Sequence, residues 1–155
     1  MVKLVEDREL PVVVEFAYER QQRREEASMF CPGSREAILA EFREAMAKGR
    51  LAAYWGAARD EAEPKRLAGV LCWHVDEGKM RTDCALLMDS RCENYEEAAK
   101  ALEREARRGQ REGMRYYFYF PRENERCGRF LEGLRAQREE NEYLLLLRRE
   151  AWENR

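Results

Sequence analysis

Arg115-Tyr116-Tyr117-Phe118-Tyr119-Phe120 is the stretch on which the reading of this chain turns. Aromatic residues favour the pleated, half-buried surface of a sheet, so the run predicts a strand. The preceding strand-like run, Met80 to Met88, is separated from it by a connection long enough to hold a helix. Strands joined through such a crossover lie parallel, since an antiparallel pair needs only a tight turn. The crossover carries its own helix signals. Asn94 opens it, Ala98, Ala101, Leu102, Glu105 and Ala106 mark an inner edge to about Arg108, and Gly109 or Gly113 stops it.

Upstream of this pair, Leu51 to Ala58, Leu67 to Val75 and Met80 to Met88 read as an antiparallel meander. Its turns are Asp60 to Lys65, with Pro64, and Asp76-Glu77-Gly78, where the glycine suits a short hairpin connection. Before the meander come an edge strand, Val2 to Val5, and a helix capped by Asp7 with Val13, Val14, Ala17 and Tyr18 inward. The charged run Glu19 to Glu26 and the breaker Cys31-Pro32-Gly33 follow. Ser34 then caps a second helix carrying Ile38, Phe42, Ala45 and Met46, with Gly49 at its end. Downstream, Glu125 to Leu134 spaces Cys127, Phe130, Leu131 and Leu134 as one face of a short helix, and Leu144 to Leu147 is a last strand. Only one convincing strand is visible after that helix, so Ala136 to Glu142 is either an irregular connection or the place of a missing strand.

Composition narrows the setting. The chain of 155 residues fits a single domain with a core of its own, expected to span 1–155. Charged residues make up 39% of it, yet 29 basic and 31 acidic side chains nearly cancel, so no global field draws nucleic acid or an anionic membrane. Cys31, Cys72, Cys84, Cys92 and Cys127 are scattered and never spaced Cys-x-x-Cys, which gives neither a disulfide framework nor a zinc site. With no apolar window of spanning length, a cytoplasmic protein with reduced thiols is expected.

The order strand, two helices, three-strand meander, helix, aromatic strand, helix, strand resembles the GNAT superfamily of acyl-CoA-dependent N-acyltransferases over nearly the whole chain. Leu67-Ala68-Gly69-Val70-Leu71 is similar to that family's third strand with its internal glycine. Asn124-Glu125-Arg126-Cys127-Gly128-Arg129-Phe130-Leu131-Glu132 is similar to its Asn-x-x-Ala-x-x-Phe-Tyr-Glu segment. The resemblance implies an α/β (α+β) fold: a mixed, mostly antiparallel sheet with a parallel central pair, flanked by helices. It also implies acetyl-CoA or another acyl-CoA as cofactor and an amine as acceptor. The thioester would lie between the diverging fourth and fifth strands, near Leu86, Leu87 and Met88 and Tyr117 to Tyr119, with Asn124 beside the pantetheine arm.

Two departures bear on activity. Working members follow the fourth strand with a glycine-rich turn whose amides hold the pyrophosphate. Here Arg91 matches its first position, but the small residues expected next fall on Asn94 and Glu96, and Glu93, Glu96 and Glu97 compete with a pyrophosphate for the helix start. The same residues also read as a self-capped helix, Asn94 with Glu97 three positions on. The second departure is Leu131, which stands where many members have a tyrosine that protonates the departing thiolate. Tyr117 or Tyr119 offers a substitute acid, and Asp83, His74 or Glu123 a base for the amine. His74 shares a strand face with Cys72, about 7 Å apart by the strand rise, too far for a direct hydrogen bond. Two functions therefore stand side by side: a divergent N-acyltransferase, or a non-catalytic GNAT-like domain for binding or assembly, as a homodimer or beside a second GNAT domain.

Overall fold

A computed structural model describes residues 1–56, 66–138 and 144–146. Its elements in chain order are β1 (Val2–Leu4), α1 (Leu10–Gln21), α2 (Arg35–Ala47), β2 (Leu51–Trp55), β3 (Leu67–Asp76), β4 (Arg81–Met88), α3 (Tyr95–Arg107), β5 (Arg115–Tyr119), α4 (Glu125–Gly133), β6 (Gln137–Arg138) and β7 (Leu144–Leu146). They form a mixed α/β structure around one sheet of order β1-β2-β3-β4-β5-β7-β6. Every neighbouring pair in it is antiparallel except β4 with β5, which are parallel as the crossover requires.

Strand alternation sorts the side chains to two faces. On one, Leu71 and Trp73 of β3, Cys84, Leu86 and Met88 of β4, and Tyr116 and Phe118 of β5 pack under α3 and α4. On the other, Val70, Cys72, Ala85 and Leu87 pack under α1 and α2. Gly69 is needed on the first face. A Cβ there would lie 2.2 Å from Met88 Sδ and 3.1 Å from Leu102 Cδ1, so glycine lets β4 and α3 close over β3.

Several expectations need correction. Asp7 does not cap α1. It begins a 3-10 turn, Asp7–Glu9, closed by a reciprocal box between Glu6 and Glu9, and Pro11 stands in the first turn of α1. Tyr18 is only half-buried, while Phe16 and Arg20 are buried instead. The hairpin between β3 and β4 does not use Gly78 for a left-handed backbone; Met80 takes that conformation at φ 51°. Asp76 Oδ1 holds the turn through the Lys79 amide (3.1 Å), and the Met80 carbonyl accepts from the Arg115 amide (2.9 Å), which fixes Met80 against the start of β5.

The inner edge of α3 is also rotated from the sequence reading. Tyr95, Ala99 and Glu103 are buried with Ala98, Leu102 and Ala106, whereas Ala101 and Glu105 are half-buried. Arg107, one turn on, lies 2.5 Å from the Glu103 carboxylate and allows its burial. Between α4 and β7 there is no missing strand, because β6 pairs Gln137 with Leu146 and Arg138 with Leu145. The turn Asp60 to Lys65 lies outside the described residues. No helix among the described residues is long and apolar enough to cross a membrane.

Candidate functional site

The parallel pair is joined at only one end. β4 and β5 pair from Arg81 with Arg115 to Cys84 with Phe118, but β4 runs on to Met88 with no further partner in β5. Beyond Cys84 and Phe118 the two strands part into a fork. Leu87 and Met88, expected to line it, turn their side chains into the two cores, Leu87 under α1 and α2 and Met88 against Gly69. Leu131 is likewise fully buried in the α3–α4 core.

The chain fills the fork with its own residues. Glu26, Ala27 and Ser28, between α1 and α2, are all under 10% exposed. The Ser90 amide, just past β4, donates to Glu26 Oε2 at 2.7 Å. Asn124 Nδ2 donates to the Ala27 carbonyl at 2.9 Å, while its Oδ1 accepts from the Cys127 amide and caps α4. The Tyr119 carbonyl, at the open end of β5, accepts from the Met29 amide (2.9 Å) and the Ser28 hydroxyl (3.1 Å). Gln21 steadies the segment by donating to the Ser28 and Cys31 carbonyls and accepting from the Ser28 amide.

The turn from β4 to α3, where the resemblance implies a phosphate loop, already has its amides bonded within the protein. Its successive amides at Ser90, Arg91 and Cys92 donate to the Glu26 carboxylate, the Asp89 carboxylate and the Asp89 carbonyl. Arg126 of α4 donates to the Ser90 and Cys92 carbonyls from the other side and lies over the Tyr95 ring, 4.4 Å from its centroid. Arg91 is exposed and folds back on Asp89 (3.3 Å). Burial tends to raise the Asp89 carboxyl, but the Arg91 amide and guanidinium outweigh it and hold the group below its usual value. Asn94 does not cap α3. It stands at the N-cap position, but its side chain takes no amide of the helix, and its Oδ1 accepts instead from the Cys92 thiol (2.9 Å). The capping box with Glu97 is therefore absent.

On the α1–α2 face beside the joined end of the pair lies a polar cluster. The Tyr119 hydroxyl donates to Asp83 Oδ1 at 2.6 Å, and Arg81 Nη2 reaches both Asp83 Oδ1 and the Tyr119 oxygen at 2.7 Å. The Arg81 guanidinium lies over the buried Tyr117 ring, 4.4 Å from its centroid. Burial, and then its bond to the Asp83 carboxylate, push the Tyr119 phenol well up, so it stays a hydroxyl at neutral pH. His74 faces Asp83 in the register of β3 and β4, but its Nε2 is 2.9 Å from Glu41 Oε1 of α2. The Phe30 ring stacks on Tyr119 (5.1 Å between centroids) and meets His74 edge-on (5.6 Å).

Of the site residues read from sequence, Tyr117, Tyr119, Asp83 and His74 thus come together, while Arg91, Asn94 and Asn124 stand at the fork with partners of their own. Cys72 is buried, and burial and then the Glu41 charge push its thiol well up, so it offers no nucleophile beside His74. Glu123 is exposed and ion-paired with Arg24. Among the described residues, no group of three or more His, Cys, Asp or Glu side chains is gathered to hold a metal ion. The sequence reading missed Glu26, Arg20, Arg81, Glu41 and Arg126. Arg20 left a signal: it continues the inward stripe Val13, Val14 and Ala17, where a buried cation demands a counter-ion.

Comparison with solved structures matches this architecture. yncA of Salmonella typhimurium, solved with its cofactor acetyl-CoA, superposes with a TM-score of 0.61 at 11% identity, over 94% of this chain and 90% of that one. An acetyltransferase of the GNAT family from Bacillus anthracis gives 0.58 at 13% identity, over 94% and 90%. This chain has the GNAT fold. A chimera of the spermidine N-acetyltransferase SpeG from Vibrio cholerae and hSSAT also matches, at 0.56 and 11% identity over 94% and 92%. By sequence, no family model and no curated protein matches the chain. The GNAT fold is thus shared with acetyltransferases, at identities that carry the fold alone.

Proposed function

We propose that this chain is a GNAT-fold domain that does not turn over acyl-CoA and serves in binding or assembly. One observation carries the reading: Glu26 to Met29 lie in the fork between β4 and β5, bonded to Ser90, Asn124 and Tyr119. A pantetheine arm entering there has to displace three buried residues, and a pyrophosphate meets Glu26 and Asp89 on the amides it needs. Glu93, Glu96 and Glu97 add further negative charge at the start of α3. The partner in this reading is a second copy of the chain or a second GNAT domain.

The Asp83–Tyr119–Arg81 cluster favours a second reading, an N-acyltransferase of an unidentified amine using acetyl-CoA or another acyl-CoA. The Tyr119 phenol carries the proton that a departing thiolate needs, and in this reading the bound substrate has to loosen its bond to Asp83 and bring it back toward its ordinary value. In that reading Asp83 or His74 takes the proton from the amine.

Thermal denaturation of the chain with and without millimolar acetyl-CoA separates the two. A ligand of the folded state at a hundredfold its dissociation constant adds about 2.7 kcal/mol of stability, a plain rise in midpoint. The non-catalytic reading expects no rise. A saturable rise, with acetylation of any supplied polyamine, overturns it in favour of the enzyme.

A further inference from the structure

The group seated at the fork is a carboxylate in a setting made for an anion. The Glu26 side chain has no exposed surface and the Arg20 side chain only 5%. Around Glu26 lie the Ser90 amide at 2.7 Å, Arg20 Nε at 3.1 Å and Arg23 Nη1 at 3.5 Å. Arg20 is also 3.5 Å from exposed Glu19 through Nη2, its charge reaches the Asp89 carboxylate, and its guanidinium lies over the Phe16 ring. Despite the short distance, the Arg20 Nε–H is not aimed at Glu26 or at any other acceptor among the described residues. A buried guanidinium with an unfilled donor is costly, and it marks a mismatch: the carboxylate arrives from its own backbone at an angle that satisfies Ser90 and leaves Arg20 half served.

We propose that Arg20, Arg23 and the Ser90 amide form an oxyanion-binding cradle, with the Glu26 carboxylate as its exchangeable intramolecular occupant. The ligand class is a carboxylate or phosphate oxyanion, whose free oxygens reach the Arg20 Nε–H that Glu26 leaves open. This rests on the non-catalytic reading only in placing Glu26 to Met29 in the fork, and it names what a binding partner has to present there. The competitor is strong. An occupant tethered by its own chain acts at an effective concentration of roughly millimolar or above, so a small anion meets a nearly closed site in the wild type.

The test therefore removes the occupant. The full chain, as wild type, Glu26→Ala and the double variant Glu26→Ala/Arg20→Gln, is titrated with sodium acetate and separately with inorganic phosphate. Ionic strength is held constant with sodium chloride, and the thermal midpoint is read. Glu26→Ala is expected to start with a lowered midpoint and to recover saturably in acetate or phosphate, at concentrations at least about tenfold below any response of the wild type. The double variant is expected to show no saturable recovery. Acetate acting alone assigns a carboxylate ligand, and phosphate acting more strongly assigns a phosphate; either supports the cradle. If Glu26→Ala is unfolded in chloride, the cradle requires either anion to restore its folded far-UV spectrum saturably. A variant that responds to neither anion, folded or unfolded, or a double variant that responds equally, overturns the proposal. Acetyl-CoA added to the wild type tests the non-catalytic reading separately, so each can fail without the other.

Discussion

The two faces of the sheet treat the same strands differently. Under α3 and α4, β3, β4 and β5 present Leu71, Trp73, Cys84, Leu86 and Phe118, part of one apolar cluster. On the α1–α2 face the apolar packing of Val70, Ala85 and Leu87 gives way, along the same strands, to His74, Asp83, Tyr117 and Tyr119 with Arg81. Residues one apart in sequence therefore serve opposite ends: Phe118 holds the fold together, while Tyr117 and Tyr119 belong to the polar cluster. The alternation, and not the aromatic content of the run, separates architecture from chemistry.

If the α3–α4 face is the structural one, its truncation should cost most. Leu102→Ala, at a fully buried position, is expected to lose about 2–5 kcal/mol, read as a lowered urea midpoint with the slope unchanged. A loss below about 1 kcal/mol would break the contrast between the faces. On the polar face, Tyr119→Phe takes a donor from the Asp83 carboxylate, for which hydrogen bonds to charged groups suggest about 1.5–3 kcal/mol. Because Arg81 still serves Asp83, the lower end of that range is expected, and an unchanged midpoint would make the cluster a surface feature.

Gly69→Ala sharpens the α3–α4 side. Its Cβ would overlap Met88 Sδ, and the forced shift is expected to cost about 1–3 kcal/mol. Gly69→Ala in a Met88→Ala background should cost less than in the wild type, and additive losses would place the crowding elsewhere. The smallest effect is one of pH. Glu103 is the buried carboxylate of the α3–α4 face, and burial, only partly offset by Arg107, raises it above its ordinary 4.5. A carboxyl raised on folding contributes stability that is full below its unfolded value and is lost as pH rises through the folded value. The urea midpoint of Glu103→Gln relative to wild type should therefore improve from about pH 4 to about pH 7. A difference independent of pH would show that Glu103 is not raised.

What was legible in the sequence is what local periodicity and connection length encode. The crossover from Met88 to Arg115 implied the parallel pair, and the i, i+3, i+4 spacing of Cys127, Phe130 and Leu131 implied α4, because both depend on residues close along the chain. The two-residue β6 is too short to carry a period. Met80 took the left-handed turn position from Gly78 because Arg115, 35 residues on, holds its carbonyl. The fork shows the same limit more strongly. Ser90 and Glu26 are 64 residues apart, and Asn124 and Ala27 are 97 apart. Glu26 read only as the end of a charged run, since nothing within Glu19 to Glu26 distinguishes the one carboxylate that goes inside.

The contact between Met29 and Tyr119 has a consequence for how the chain exchanges hydrogen with solvent. Both the Met29 and the Ser90 amides belong to connecting segments, yet each is locked onto an acceptor across the fork, as an amide within a ladder would be. Their protons leave only when the wedge between the strands lifts. Two loop positions thus become native reporters of how often the fork stands open, with a clock set by that opening and not by the fraying of either loop.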